Sequence, residues 1–475
     1  MATQRRSLAR VLGLADLSIL SSASMAPAYS IAVTFGLMVA AAGTGAPMAL
    51  VALTVPIIFI AIAFHRLCEE HPDAGSTYAW SRLAFGPGIG AFGAWIVVLS
   101  YFFAAVAAVV PAGIYTLDLA AHFHLVPSTW SSSALVVAIT GSVWVIIASL
   151  LLIGGIRPTA RVSGLFLLFE CAVLLGFAAL AFFHPPAAAI APASNLHILT
   201  FGSGGFDGFL AAMVLAVWVT DGWEVSSYSS EENQGGSRIP GLGGLIGLVL
   251  TVVLILVCMI AFMKIAPLAG LASNSDDSLA YIAARLGGGW FSTAMIATVL
   301  VSTAATLWTT QLGISRGMFS MARDRLFPSS LTAVHPIFGT PYVAIAVVNA
   351  GVFVITILTG LLPSANAALN EVVNATAVLL NLTFILTGAS CVVHFVRKGT
   401  PLTDMTRVVL PAIGTLAIAA LLDLNFRHQS GLDQIIAAVT IGLGILYAAV
   451  VVALGRTKLT APAPAAVPAP GKAEG

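Results

Sequence analysis

Residues 240–264 read PGLGGLIGLVLTVVLILVCMIAFMK, and this stretch decides the fold class because it holds no charged residue before Lys264. An α-helix crosses the hydrocarbon core of a bilayer in roughly 20 residues. Backbone groups in lipid must find their hydrogen-bond partners within the segment, so an apolar run of this length predicts a transmembrane α-helix.

Comparable apolar runs recur along the whole chain. Of its 475 residues, 59% are hydrophobic and 8% are charged, whereas about a quarter of the residues in a soluble domain carry charge. The alternating pattern of a membrane β-barrel is not seen. The sequence therefore predicts an all-α polytopic membrane protein with twelve spans, at 15–39, 47–67, 87–118, 133–153, 161–183, 206–229, 240–264, 289–316, 341–361, 370–396, 405–424 and 433–454.

The basic residues support this count. The spans place 17 of the 20 Lys and Arg residues on one face, and only Lys264, Arg285 and Arg427 on the other. The excess of positive charge marks the cytoplasmic face, so both termini are expected there, in a cytoplasmic membrane. We expect a cytoplasmic N-terminus over 1–14 and a disordered cytoplasmic tail over 455–475. A net charge of +1 points to no nucleic-acid partner.

A polar interruption marks the first span. Residues 21–30 read SSASMAPAYS, with four serines and a proline in mid-span. Proline removes an amide donor and clashes with the preceding turn. Irregular backbone at membrane depth is tolerated where it lines a cavity or is buried by protein. The stretch is therefore either a kink with serines bonded back to carbonyls or part of a binding site.

The sixth span holds a second interruption. Residues 218–224 read WVTDGWE, with two acids beside a glycine. An acid near the bilayer centre costs roughly 2.5–3.5 kcal/mol, so it marks a cavity, a partner or an ion path. No basic residue lies at a comparable depth, so Asp221 needs a substrate amine, a metal ion or a proton. Glu224 has an alternative role as a cap for exposed amides.

The two interruptions lie five spans apart, as in an inverted five-plus-five repeat with a site at the bilayer midplane. This predicts a transport core over 15–396, in two halves of about 15–183 and 206–396, and two additional helices in 397–454. Half-helix amides then hold a carboxylate, while carbonyls and an acid hold an ammonium. The candidate substrate-binding residues are Ser24, Met25, Ala26, Pro27, Ala28, Tyr29, Trp218, Val219, Thr220, Asp221, Gly222, Trp223 and Glu224.

Three further stretches carry a family resemblance. They are HPDAGSTYAW at 71–80, MARDRLFP at 321–328 and residues 157–164, all on the predicted cytoplasmic face. Together they resemble the amino acid, polyamine and organocation transporter superfamily over residues 10–455. The resemblance implies a secondary active transporter of amino acids, with polyamines or other organic amines as the alternative solutes.

The resemblance also implies roles in the sixth helix. The family's aromatic, glycine and glutamate are matched by Trp218, Gly222 and Glu224, so Trp218 is expected to cover the solute from outside. Carbonyls of 219–222 are expected to receive the solute's amine. One departure matters: Pro27-Ala28-Tyr29 stands where the family has a small glycine motif, so the usual cradle for an α-carboxylate is altered.

Transport against a gradient needs a coupled ion or an exchanged solute. Glu170, buried in the fifth span, is the candidate proton carrier. Ser302 and Thr303 in the eighth span are the ligands of a sodium alternative. No cofactor and no resident metal are expected.

Two rival classes remain. A membrane enzyme would draw on the cluster at 65–71, HRLCEEH, but its histidines are six residues apart and fit no zinc helix motif. A channel would need rings of polar residues from several subunits, and none is evident.

Overall fold

The computed structural model describes residues 7–183, 201–428 and 431–455. The predicted tail after residue 455 and the first six residues of the predicted N-terminal segment lie outside the described residues. Within the described ranges every regular element is a helix, and the only β-pairing is one isolated bridge. The predicted all-α class is confirmed for this part of the chain.

The helices are numbered in chain order, and short 3-10 or π turns between them are left unnumbered. Their bounds are α1 Leu14–Ser24, α2 Pro27–Ala42, α3 Ala46–Glu70, α4 Thr77–Phe85, α5 Pro87–His122, α6 Ala134–Ile153, α7 Ile156–Phe183, α8 Gly205–Val219, α9 Val225–Tyr228, α10 Arg238–Phe262, α11 Leu268–Ser273, α12 Ser278–Leu286, α13 Trp290–Arg323, α14 Tyr342–Thr359, α15 Ala365–Arg397, α16 Leu410–His428 and α17 Gly431–Ala453.

Ten stretches of the described chain are helical, long and apolar enough to cross a membrane. The first runs from Leu14 to Glu70 and contains α1, α2 and α3. α8 is also apolar but has only 15 residues. Such helices are stable in lipid because their backbone groups are hydrogen-bonded internally. The chain is a multi-pass membrane protein.

Some helices extend beyond the apolar runs that predict them. α7 begins at Ile156 instead of residue 161, and α13 continues to Arg323 instead of ending at Arg316. An arginine is a natural place to end a predicted span, since charge is costly in lipid. In the structure Arg316 is buried in protein and paired with Glu232, so the helix continues past it.

Three short helices, α4, α11 and α12, lie outside the predicted spans. α4 and α12 have nine residues each and carry Arg82 and Arg285 in their last turns. Helices this short cannot cross a bilayer, so the search for long apolar runs gives no sign of them.

The two interrupted stretches lie side by side. Met25 and Ala26 separate α1 from α2, and residues 220–224 separate α8 from α9. α2 packs against α8, and α1 packs against α9. Because each first half contacts the other stretch's second half, the two stretches run antiparallel and their breaks meet.

Three ion pairs join helix ends on the predicted cytoplasmic face. The deepest links Arg316 of α13 to Glu232 through two hydrogen bonds of 3.0 and 3.1 Å, and both side chains are fully buried. The other two are partly exposed, and solvent screening weakens each of them. The three pairs are named the clasp, and they are Arg316–Glu232, Arg323–Glu231 and Arg82–Asp324.

Removing one member of the buried pair should strongly destabilise the protein. Arg316→Met leaves the carboxyl group of Glu232 buried without a counter-charge, at an expected cost of about 3–5 kcal/mol. The measurement is the thermal unfolding temperature in detergent micelles. The double variant Arg316→Met/Glu232→Gln removes both charges and should recover most of the loss. A double variant no more stable than Arg316→Met would contradict this explanation.

Candidate functional site

The first break occupies two residues. Ala26 has φ 47° and ψ 66°, in the left-handed region, between the end of α1 and the start of α2. Pro27 is the first residue of α2, where its missing N–H and fixed φ suit the first helical turn. Pro27 therefore begins a half-helix instead of kinking a continuous one.

Other side chains of the protein bind the freed amides at the start of α2. The Ala28 N–H donates to Glu170 Oε1 of α7 at 2.6 Å, and the Tyr29 N–H donates to Ser302 Oγ of α13 at 3.3 Å. The Ser302 hydroxyl donates to the same Glu170 oxygen at 2.8 Å. Glu170 therefore caps α2 at the end where the helix dipole favours an anion.

Hydroxyl groups bind the exposed carbonyls at the end of α1. The Thr306 hydroxyl donates to the carbonyl oxygen of Ala23 at 3.1 Å and also to that of Ser24. The Ser30 hydroxyl donates to the carbonyl oxygen of Met25 at 2.8 Å. These bonds replace the helical partners that the break removes, and so hold the break in one geometry.

The second break is longer. Residues 220–224 are non-helical, and Gly222 has φ 97°. Glu224 is engaged on both oxygens: Oε1 accepts from the Tyr101 hydroxyl at 2.9 Å, and Oε2 accepts from the Gly222 N–H at 3.1 Å. These contacts fit the capping role of Glu224 better than a direct role with a solute.

Gly222 is expected to tolerate no larger residue. A Cβ there would lie 2.7 Å from the Ser24 carbonyl oxygen across the two breaks, and the positive φ alone costs a non-glycine residue about 1–2 kcal/mol. Gly222→Ala should therefore push the breaks apart and lower uptake by reconstituted protein at least about ten-fold. Gly176→Ala in α7 is the matched control, because its Cβ would meet nothing within 4 Å. Equal uptake by both variants would contradict the prediction.

A small cavity lies where the breaks meet. It offers about 30 Å³ to the centres of water molecules, enough for roughly two of them. Oδ1 of Asp221 is buried and has no hydrogen-bond partner among the described residues. The lining residues, all in the described part of the chain, include no basic side chain: Ser24, Met25, Ala26, Tyr29, Ser30, Tyr101, Ala104, Trp218, Asp221, Gly222, Glu224, Thr306, Thr310 and Leu380.

A buried carboxyl oxygen without a partner is costly unless a cation or a proton reaches it. The wall of this cavity supplies acidic and hydroxyl groups and supplies no positive charge. The arrangement is therefore suited to receive a cationic group from outside the protein.

The family comparison covers the two breaks and the cavity between them. Residues 12–454 match the amino acid permease family. The chain belongs to that family. The permease is thus a member of the amino acid, polyamine and organocation superfamily, as the resemblance implied, and it is a transporter, not an enzyme.

Two relatives of the permease have named solutes. The permease is 24% identical over 348 residues to the branched-chain amino acid permease BcaP of Bacillus subtilis (strain 168), a match covering 71% of the permease and 72% of BcaP. It is 25% identical over 454 residues to the low-affinity putrescine importer PlaP of Escherichia coli (strain K12), covering 94% of the permease and 95% of PlaP.

The structure brings most of the predicted site residues to the cavity. Trp223 is an exception, because it stacks on Phe384 with ring centroids 5.8 Å apart. The Thr220 hydroxyl donates to the Ala216 carbonyl of its own helix at 3.2 Å. The predicted residues that do not line the cavity are Pro27, Ala28, Val219, Thr220 and Trp223.

Sequence reasoning missed several lining residues. Thr306 and Thr310 follow Ser302 at four-residue intervals, so all three lie on one face of α13, and this spacing was the available signal. Tyr101 and Leu380 stand in apolar runs with no comparable pattern. Only the packing of α5 and α15 against the breaks brings them to the cavity.

The cluster behind the enzyme alternative is an ion-pair site. His394 of α15 joins Glu70 and His71 at the end of α3, and the three offer ligand atoms within 4.8 Å of one another. The Glu70 carboxylate, however, is held by His394 at 2.8 Å and by Lys398 at 2.7 Å. Burial, and next the nearby His394, lower the pKa of His71. The cluster therefore links α3 to α15 at the predicted cytoplasmic face.

Proposed function

We propose that the permease is a secondary active transporter of an amine-bearing solute, working by alternating access around the cavity at the two breaks. One observation carries this proposal: the buried, unpartnered Oδ1 of Asp221 in a cavity with no basic lining residue. An ammonium group supplies both the missing charge and the missing hydrogen-bond donors. Amino acids and polyamines both carry such a group.

The twelve-span architecture is part of this proposal. The first of the ten long stretches contains two spans, the broken span of α1 with α2 and the continuous helix α3. The helices α8 and α9 form a second broken span outside the ten stretches, so the total is twelve. The antiparallel contact of the two broken spans supports an inverted repeat of about 15–183 and 206–396, with two further helices in 397–454. An even number of spans places both termini on one side, and the basic residues favour the cytoplasmic side of a cytoplasmic membrane.

The amine is proposed to lie between Asp221 and the end of α8. The carbonyl oxygens of Val219 and Thr220 lie at the C-terminal end of this helix, where the dipole favours a cation. Trp218 contacts Tyr29 edge to face, with ring centroids 6.3 Å apart. These two rings are proposed to cover the bound solute.

Glu170 is proposed as the proton carrier. Its Oε1 holds α2 and α13 together through Ala28 and Ser302, while its Oε2 is buried without a partner among the described residues. A proton on Oε2 removes the charge that strengthens both bonds. Proton binding would therefore loosen α2 from α7 and α13, which connects protonation to movement at the solute site.

The sodium alternative has less support. The Ser302 hydroxyl is already bonded to Glu170, and the Thr303 hydroxyl donates to the Leu300 carbonyl of its own helix at 2.9 Å. Proton symport or solute exchange is accordingly the proposed mode.

Uptake by purified protein in proteoliposomes tests the proposed function. A panel of labelled amino acids and polyamines is offered with and without an inward proton gradient, and also to vesicles preloaded for exchange. Saturable uptake of any amine-bearing solute is the expected result. Absence of uptake for the whole panel in all three conditions would overturn the proposal, and conductance without saturation would indicate a channel.

A further inference from the structure

We infer that the solute of this permease is an amine without a carboxylate, a monoamine or a diamine. The inference rests on the proposed function, because it takes the cavity at the two breaks as the solute site. It concerns the half of that site where an α-amino acid would place its carboxylate.

The backbone amides of the first break are all accounted for. Pro27 has no N–H, and those of Ala28 and Tyr29 donate to Glu170 and Ser302. The N–H of Met25 donates to the Ser21 carbonyl at 3.2 Å, and that of Ala26 to the Ala23 carbonyl at 3.3 Å. A half-helix N-terminus normally offers a carboxylate its amides. Here the protein's own carboxyl group, from Glu170, already occupies that position.

The side chains of the cavity offer a carboxylate little in exchange. No lining residue is basic, and all of them belong to the described ranges. The Tyr101 hydroxyl donates to Glu224, and the Thr306 hydroxyl donates to the end of α1. The Tyr29 hydroxyl donates to the Ala107 carbonyl, and the Ser30 hydroxyl donates to the Met25 carbonyl. The remaining hydroxyls, of Ser24 and Thr310, are neutral donors, and an ionised carboxylate desolvated against them stays under-satisfied.

Acceptors for a cation are plentiful by comparison. Asp221 offers Oδ1, which is buried and has no hydrogen-bond partner among the described residues, and Glu224 adds a second carboxyl group to the cavity wall. A carboxylate brought into this space would also lie near Asp221 and Glu224, and like charges at short range repel. The site therefore accepts one sign of charge.

A second cavity repeats this electrostatic character. It holds about 250 Å³ between α2, α5 and the N-terminus of α12, and its wall contains Asp118, Asp276 and Asp277 with no basic residue among its described lining. Val33, one turn of α2 beyond Tyr29, also lines it. This cavity lies at the end of α5 away from the clasp. The acids of this cavity attract a cationic amine and repel the carboxylate of a zwitterion.

Matched pairs of compounds that differ only in the carboxylate test the inference. We would measure competition against the labelled solute found in the uptake panel, and thermal stabilisation of the wild-type protein in detergent. The pairs are putrescine with ornithine, cadaverine with lysine, and 3-methylbutylamine with leucine. The amine of at least one pair should act at a concentration at least about ten-fold lower than its amino acid, because the carboxylate adds a buried group without partners.

The outcomes separate this inference from the proposed function. If an amino acid acts as strongly as its amine or more strongly in every pair with activity, the inference is wrong while amine transport stands. If no member of any pair competes or stabilises the protein, and the uptake panel is also negative, both proposals fail. Because the comparison uses the wild-type chain, poor folding of a variant cannot obscure the result.

Discussion

Asp221→Asn is expected to reduce solute uptake by at least about 100-fold while leaving the protein folded. Asparagine keeps the shape of the side chain and removes the negative charge that a bound ammonium requires. Losing one member of a buried, hydrogen-bonded charge pair costs about 2–5 kcal/mol, and 2.7 kcal/mol corresponds to about 100-fold in affinity. The measurement is initial uptake by proteoliposomes across a range of solute concentrations.

Asp207→Asn is the matched control for this experiment. Asp207 is an exposed acid in the first turn of α8, the same helix whose end lies beside Asp221. Its loss changes the net charge by the same amount without touching the cavity, so uptake should stay close to wild type. If Asp221→Asn transports as well as Asp207→Asn does, the ammonium is bound elsewhere.

Glu170→Gln is expected to abolish accumulation driven by a proton gradient. A gradient of one pH unit supplies about 1.4 kcal/mol for each coupled proton, which supports a roughly ten-fold accumulation of solute. Glutamine retains an acceptor oxygen for Ala28 and cannot carry a proton. The variant should therefore equilibrate the solute to a ratio of about one, while solute exchange between preloaded vesicles and medium continues.

Asp423→Asn controls for the loss of an acid within a membrane helix. Asp423 is a largely exposed residue of α16, paired with Arg427 at 2.8 Å, and its substitution should leave the accumulation ratio unchanged. Ten-fold accumulation by Glu170→Gln would show that Glu170 is a structural cap and that the coupling lies elsewhere. Accumulation dependent on sodium in place of protons would support the alternative at Ser302.

The sequence predicted those features that depend on local composition. The apolar run at 240–264 becomes α10, and the helix interruptions fall within the stretches at 21–30 and 218–224 that polar residues had marked. Such features can be predicted from the sequence because a long apolar run, or a proline or glycine in mid-span, determines the backbone conformation within a few residues.

Features that depend on partners distant in the chain could not be predicted from the sequence. The bond between Glu170 and the Ala28 amide joins residues 142 positions apart, and the bond between Tyr101 and Glu224 joins residues 123 positions apart. No local pattern fixes such pairings, because they arise from how α5, α7 and α13 pack around the breaks. The burial of Arg316 could not be predicted from the sequence for the same reason, because its counter-charge, Glu232, lies in another segment of the chain.

The clasp has a consequence for the energetics of the transport cycle. If the predicted cytoplasmic side opens during each turnover, some of its ion pairs must separate and form again. A solute shifts the balance between two conformations only by the difference in its affinities for them, and about 5.5 kcal/mol is needed to invert a 1:99 ratio. The pairs Arg323–Glu231 and Arg82–Asp324 are partly exposed, so solvent screening lowers the free energy needed to separate them. The pair Arg316–Glu232 is fully buried, and leaving either of its members without a counter-charge costs about 3–5 kcal/mol. An opening that separates only the two partly exposed pairs lies within the range that the binding energy of one small molecule can reverse. An opening that also separated the buried pair would use most of that range.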